Sequence, residues 1–339
     1  MGLLFIDGFD HYNEPAMPDK GWSWYSTSFL VFSSAYARFG GVGISLQHSD
    51  FAWVTNDLGV NKSTIYFGIA IYKEGEYYPS LKPDGEPLIT LIDESNVAQV
   101  KLCTNPGYGI NVYRGDNTLL GSTANNLFSD NKWFYLEAKV TISATVGVVE
   151  IRINESQILN LTSQNTKNGS DYIRKIRFQG MYHDIDIYYD DLYIDDSQFH
   201  GDCQVKAFNP DADGNSADFT RSTGSNDYEC VDEVASNEDT DYIFSETLNH
   251  KSIFGITTGA LNTIKGIQLN NHCRLEATGT RKITPIVRSG GTDYSGIETD
   301  VIPDSYKFES EVWELDPGDS NPWTQVKLEA AEFGLEITT

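Results

Sequence analysis

The chain has 339 residues, with 24 Lys and Arg against 49 Asp and Glu and a formal charge of -25. That charge would repel phosphate backbones, which argues against nucleic acid as a partner; it could attract divalent cations, but a soluble, self-repelling surface is its ordinary meaning. The length exceeds a typical domain of about 100–200 residues, so two domains are expected.

The N-terminal segment has no basic residue before its short apolar run Leu3 to Ile6, and no long apolar stretch follows, so neither a signal peptide nor a membrane span is expected. Ile6 stands where an N-myristoylation signal requires Ser or Thr. Leu3 to Ile6 reads as a strand ending at Asp7 and Gly8, with Phe9 to Tyr12 following. Trp22, Trp24 and Tyr25 place aromatic rings in alternation, the residue type that stacks on sugar rings and, more commonly, packs in cores. Strand-like runs recur at Gly43 to Gln47, Ser63 to Tyr72, Pro87 to Ile92, Ala98 to Cys103 and Gly109 to Tyr113, punctuated by Gly, Asn, Asp and Pro. Short strands so spaced indicate an all-β sandwich, and the lack of any sustained 3.6-residue apolar period argues against an α/β fold.

The clearest periodicity begins at Trp133. Phe134, Leu136, Ala138, Val140 and Ile142 fall on one face, and Tyr135, Glu137, Lys139 and Thr141 on the other, which predicts a strand with one buried and one wet face. After a turn through Ser143 to Gly147, Val149, Ile151 and Ile153 resume the buried side and complete an antiparallel hairpin; Ile158 to Thr162 adds a third strand. Ile176 and Phe178 alternate with Lys175, Arg177 and Gln179. In the acidic strand after Asp184, Leu192 and Ile194 are out of phase with Ile185, Ile187 and Tyr189, so a bulge near Asp190 and Asp191 is predicted. These acids could hold a metal or form a catalytic pair, but an acidic outer face with turn-capping aspartates is the plainer reading.

The strings WFYLEAKV (133–140), GVVEIRIN (147–154) and DDLYIDD (190–196) resemble the final strands of concanavalin A-like (laminin G-like) jelly-roll domains. With the opening MGLLFIDGFDHY (1–12), the chain is similar to a group of tailed-bacteriophage virion proteins that pair such a sandwich with a smaller C-terminal domain. The expected organisation is a sandwich over 1–199 and a smaller β-rich domain over 200–339 with a short C-terminal helix. In the second part, Cys203 to Phe208, Ile264 to Asn270, Arg281 to Ser289 and Ser305 to Trp313 read as strands, and Asp227 to Thr240 as an acidic surface segment. Asp211, Asp213, Asn215 and Asp218 could surround a calcium ion, although the spacing lacks the closing bidentate Glu of an EF-hand and also suits an Asx-rich turn. Asn321 and Pro322 can start the helix, Trp323 can anchor it, and Gly334 can end it before a last strand, Leu335 to Ile337. The segment from Asp316 and Pro317 to Trp323 and Thr324 is similar to the C-terminal signature of those phage proteins, with one residue more before the tryptophan.

Cys103, Cys203, Cys230 and Cys273 form no C-x-x-C and have no His at a metal-ligand spacing, so reduced, core-filling thiols are expected and zinc is not. The chain has no Gly-x-Ser-x-Gly, no His-Glu-x-x-His, no phosphate loop and no Glu-x-Asp-x-x-Glu strand. Asp184 and Asp186 could share a face, yet nothing marks either as a glycosidase acid. The resemblance therefore implies a non-enzymatic structural protein of a virion, tail-associated or decorating the capsid, assembled with other virion proteins as a homo-oligomer, a trimer by family analogy, and touching a host cell-surface glycan. A carbohydrate-binding module and a glycoside hydrolase are the alternatives, and no cofactor other than the calcium candidate is implied.

Overall fold

The computed structural model describes residues 2–25, 29–47, 52–75, 86–128, 130–181, 185–276 and 279–339, without the side chain of Tyr25. Strands take 50% of the residues and helices 7%, so the chain is all-β. It divides into two units, Met1–Met17 with Gly21–Lys206, and Pro18–Lys20 with Ala207–Thr339.

The first unit is a jelly-roll sandwich. Its strands are β1 (Leu3–Asp7), β2 (Trp22–Tyr25), β3 (Leu30–Ser33), β4 (Gly43–Leu46), β5 (Trp53–Lys62), β6 (Thr64–Glu74), β7 (Pro87–Ile92), β8 (Ala98–Thr104), β9 (Ile110–Arg114), β10 (Leu119–Ser122), β11 (Trp133–Thr141), β12 (Gly147–Ile153), β13 (Ser156–Gln164), β14 (Ile173–Gln179) and β15 (Asp186–Asp195). The first sheet runs β13-β12-β11-β6-β15-β4-β3, with β1 also on β15; the second runs β10-β9-β8-β7-β14-β5-β2. Every pairing is antiparallel, so side chains in register across neighbouring strands share a face. The row Phe134, Ile71, Tyr189 and Ile44 of the first sheet faces the row Val54, Phe178, Ile89, Leu102 and Val112 of the second, and all nine are buried. Burial of these inner rows at about 25 cal/mol per Å² is the main force holding the two layers together.

The hairpin of β11 and β12 is present as predicted, with Leu136 opposite Ile153 and Val140 opposite Val149. The bulge in β15 is also present: pairing with β6 shifts between Asp190 and Tyr193, and Asp191 takes the left-handed φ of 54° that this irregularity requires. One expectation fails. Tyr135 and Glu137 do not face water but are 0% and 1% exposed, because Asp191 and Tyr193 of β15 and Gly201 beyond it close over that face. After β1 the chain turns at Phe9, with φ 59°, and the Phe9 N–H donates to Asp7 Oδ1 at 2.9 Å.

The segment after β15 belongs to the sandwich as far as Lys206, beyond the expected limit at residue 199. It is fastened by the Arg38 guanidinium on both oxygens of Asp202, at 2.6 and 2.7 Å, and by the Val205 N–H on Asp191 Oδ1 at 2.8 Å. Cys203 to Phe208 accordingly forms no strand.

The second unit holds β16 (Ala212–Ala217), β17 (Thr220–Arg221), β18 (Ile243–Phe244), β19 (Lys251–Gly255), β20 (Ile267–Cys273), β21 (Arg281–Ser289), β22 (Thr292–Ser295), β23 (Thr299–Val301), β24 (Lys307–Trp313), the helix α1 (Gln325–Ala330) and β25 (Glu332–Ile337). The main sheet is β16-β19-β25-β21-β22 with β23 also on β21; β17 pairs β18, and β20 pairs β24. Val287, Trp323, Leu328, Ala331 and Phe333 form a core cluster. Trp323 anchors it, 2% exposed with its indole N–H on the Trp313 carbonyl at 3.1 Å. The helix starts later than predicted, because the Thr324 hydroxyl, not Asn321, accepts the Lys327 N–H and caps the first turn. Asp227, expected on the surface, is 0% exposed and binds Arg221 and Ser252. The four cysteines form no disulfide; Cys103 and Cys230 are buried, Cys203 and Cys273 half-buried.

Candidate functional site

Of the aromatic trio, Trp22 is buried and Trp24 half-buried. Trp22 pairs with Asn56 and Trp24 with Val54, on the strand face that carries the buried row, so both rings turn towards the core side. Trp22 is 2% exposed and donates its indole N–H to Asp7 Oδ2 at 2.9 Å, packed between Phe5, Phe9 and Phe178. The Tyr25 side chain lies outside the described residues.

The calcium candidates are likewise drawn apart. Asp213 and Asn215 lie within β16, with Asp211 and Asp218 just beyond its ends, and in an extended strand residues two apart are separated by about 6.8 Å. All four side chains are exposed, Asp213 accepts the Tyr228 N–H and Asp218 the Lys251 N–H, so they staple the sheet edge and do not surround a common point. Asp184 lies outside the described residues, and Asp186 is half-buried opposite Glu74.

The acids of β15 are buried on the outward side of the first sheet. Asp190 Oδ2 accepts the Arg38 N–H at 2.8 Å, which ties the segment before β4 to the strand, and Asp10 Oδ1 accepts the Val42 N–H at 2.6 Å, which ties the same segment to the chain after β1. Burial, opposed by the Val42 N–H, pushes the Asp10 carboxyl up to about 6. Burial also raises Asp190 and Asp191 well above the ordinary carboxylate range, with Asp191 adding its charge against Asp190 and the Val205 N–H and Arg38 opposing the rise at Asp191. Beside them Glu137 Oε1 accepts the Tyr193 hydroxyl and the Gly201 N–H, and the Tyr135 hydroxyl donates to the Asp191 carbonyl at 2.9 Å. Raised carboxyl pKa values in a cleft would suggest a general acid, but Asp190 and Asp191 are 4% and 2% exposed beneath the chain's own loops. Among the described residues of the sandwich, no three acidic, His or Cys side chains converge closely enough to hold a metal ion.

The outward face of the second sheet is different. One register row crosses six strands: Ser23 on β2, Thr55 on β5, Arg177 on β14, Thr90 on β7, Lys101 on β8 and Tyr113 on β9. At about 4.8 Å per strand it spans about 24 Å. Trp53 lies opposite Gln179 in the adjacent row, and Lys175 is two residues before Arg177. The Arg177 guanidinium sits 4.2 Å over the Trp53 ring, and its Nε–H donates to Thr55 Oγ1 at 3.0 Å. The Thr90 hydroxyl donates to Gln179 Oε1 at 2.8 Å, which turns the Gln179 amide nitrogen away from Thr90. Lys101 binds Asn117 Oδ1 at 2.7 Å and Lys175 binds Asn96 Oδ1 at 2.9 Å. All three cations thus rest on neutral oxygens in a chain with twice as many acids as bases. Burial alone pulls the Arg177 guanidinium below its ordinary value, with no carboxylate raising it, yet an arginine keeps its charge. Asp57 lies opposite Lys175 but is taken by the Arg174 Nε–H at 2.5 Å, and among the described residues no carboxylate is hydrogen-bonded to Arg177, Lys101 or Lys175, so this is a face of fixed, half-buried donors with positive charge.

Alternation with Ile176 and Phe178 puts Lys175, Arg177 and Gln179 on the outward side of β14, but nothing local to that strand marks them as a site. The available signal was three basic residues at outward positions of strands in a strongly acidic chain.

No family model matches the chain, and no curated protein matches it in sequence. Among solved structures it is similar to an endo-beta-1,4-glucuronan lyase from the fungus Trichoderma reesei, with a TM-score of 0.42 and 10% identity over 56% of this chain and 98% of that one. It is also similar to the catalytic domain of a glycoside hydrolase family 131 protein from Coprinopsis cinerea, at 0.39 and 15% over 60% and 98%. A carbohydrate esterase from the Shiga toxin-encoding bacteriophage phi24B gives 0.37 and 13% over 57% and 100%. At these scores no residue role, ligand or activity passes from them to this chain.

Proposed function

We propose that the chain is a non-catalytic, glycan-binding structural component of a bacteriophage particle, in which the outward face of the second sheet contacts the host surface. The observation that carries the binding part is the row through Thr55, Arg177, Thr90 and Lys101, where Thr55 fixes Arg177, Gln179 holds Thr90 and Asn117 holds Lys101 on a rigid sheet. Donors fixed before the ligand arrives lose less conformational freedom on binding, which is how a shallow face achieves useful affinity. The virion part rests on the resemblance of residues 1–12 and of the segment from Asp316 to Thr324 to phage structural proteins. Virion localisation, assembly with other particle proteins and a symmetric homo-oligomer, a trimer by analogy, belong to the same reading.

A glycan-binding screen with the full chain tests the first part, with incubation of the hits to look for released reducing or unsaturated ends. Binding without release supports the proposal, and release of ends would make the protein an enzyme. Mass spectrometry of purified particles tests the second: copy number should match a symmetric assembly, and absence from particles would remove the virion assignment.

A further inference from the structure

Resting on that glycan-binding reading, we infer that the second sheet's outward face recognises an acidic glycan through its carboxylate groups. The donor inventory of the face leads there. Arginine carries five N–H donors; at Arg177 the Nε–H is engaged by Thr55, while stacking on Trp53 holds the guanidinium plane in place. Its two terminal nitrogens form the fork that matches a carboxylate with two parallel hydrogen bonds.

Gln179, two residues along β14 and so about 6.8 Å away, accepts from Thr90 and therefore turns its NH2 group, a donor only, the other way. Lys101 lies two strands from Arg177, about 9.6 Å across the sheet, and Lys175 one alternation away on the same strand. Both ammonium groups are held by amide oxygens, each of which leaves two of three N–H donors for a ligand. The unengaged groups on Arg177, Gln179, Lys101 and Lys175 are thus donors, which suits a ligand presenting acceptors with negative charge at intervals.

A neutral sugar presents hydroxyls that donate as well as accept, and it leaves the half-buried charge of Arg177 uncompensated. A carboxylate-bearing sugar supplies the missing counter-ion. The net charge of -25 opposes the approach of any polyanion at low salt; Debye screening over about 8 Å at physiological salt confines that opposition, so the local charge of the face decides.

The test is isothermal titration calorimetry of the full chain with polygalacturonate, alginate, a glucuronan and a sialylated polymer, each paired with its fully methyl-esterified or carboxyl-reduced form. A single-stranded DNA oligonucleotide serves as a polyphosphate control. At least one acidic polymer should bind about tenfold or more tightly than its neutral counterpart, the size of one charged hydrogen-bonded pair. Arg177→Gln should abolish that preference, and Arg177→Lys should restore only part of it because the point charge lacks the fork. Thermal unfolding confirms that both variants fold. Equal binding of acidic and neutral forms, or equal binding of the DNA, overturns the inference while leaving a binding protein. No binding to any glycan, acidic or neutral, overturns the glycan-binding reading itself.

Discussion

On the outward side of the first sheet Glu137 Oε1 takes two donors from its own chain and Asp195 takes His200, Ser197 and Gln198, whereas on the outward side of the second sheet Arg177 and Lys101 rest on a hydroxyl and an amide. Both faces carry charged and aromatic residues at alternate strand positions. The difference lies in what closes over them. Residues 196–206 return across the first sheet and supply partners to Glu137 Oε1, Asp191 Oδ1 and Asp195, leaving Glu137 Oε2 and Asp191 Oδ2 without a hydrogen bond, so the charges there mainly serve the fold. On the second sheet Arg174, Arg114 and Lys62 are paired with Asp57, Asp116 and Asp196, but among the described residues no carboxylate is hydrogen-bonded to Arg177, Lys101 or Lys175, so the charge of these three is left to be met from outside. A buried polar group is stabilising only when its partners are present, and this condition separates a structural face from a recognition face.

The largest effect that would break the comparison falls on the first face. At Gly68 an added Cβ would lie 2.2 Å from the Tyr193 ring and 2.7 Å from the Tyr135 ring, so Gly68→Ala should cost about 3 kcal/mol or more by overpacking. Glu137→Ala should cost about 2–4 kcal/mol by leaving the Tyr193 hydroxyl and the Gly201 N–H buried without an acceptor. Urea unfolding measures both. Losses under about 0.5 kcal/mol, the level of an ordinary surface change, would show that the covering segment contributes nothing to the fold.

Next in size is a pH effect with a definite sign. The carboxyls of Asp10, Asp190 and Asp191 are raised above 3.8 in the folded chain, so between that value and the folded values the folded state holds protons that the unfolded state has lost. Their contribution is fully present below about pH 3.8 and is lost as pH climbs through about 6 for Asp10 and through the higher values of the pair. The melting temperature should therefore fall from pH 5 to pH 8, and Asp190→Asn should flatten that fall. Asp195 works in the opposite sense: burial raises it, but the His200 and Ser197 hydrogen bonds outweigh burial and hold it low, so its contribution disappears only on strong acidification. A melting temperature that rises across pH 5 to 8 would mean that the buried acids are ionised in the folded state and matched by a cation.

How far either face could be read from the sequence depends on how local its causes are. The alternation in β11 and β12 and the phase break at Asp190 are set by neighbours one and two residues away, and both appear in the structure as read. That Tyr135 and Glu137 are buried was illegible, because Asp191, Tyr193 and Gly201, which cover them, lie more than fifty residues on. β5 was missed because Asn56, Asp57, Gly59 and Asn61 are turn formers by composition; pairing with β2 and β14 overrides them. The segment around Asp213 was read as a loop for the same reason, and β19 makes it a strand. On the second face each outward residue is legible within its own strand, but the row is not, because β5, β14, β7 and β8 meet in an order the chain does not follow.

The smallest stability effects should come from the second face, where they are the most discriminating. Arg177 is half-buried without a counter-charge, so Arg177→Gln should leave stability within about 0.5 kcal/mol or raise it slightly, as happens where a recognition residue is held at a cost to the fold. Thr55→Val keeps the shape of a residue 4% exposed and removes only the acceptor for the Arg177 Nε–H. Its effect on unfolding should be under about 1 kcal/mol, the net value of one hydrogen bond. Its effect on ligand should be larger in proportion, because the guanidinium would still stack on Trp53 but could rotate in the plane of the ring. Affinity that falls several-fold in Thr55→Val, with an unchanged melting temperature, would assign Thr55 to positioning the fork. Equal losses in both measurements would place this row with the first face, as part of what holds the sandwich together.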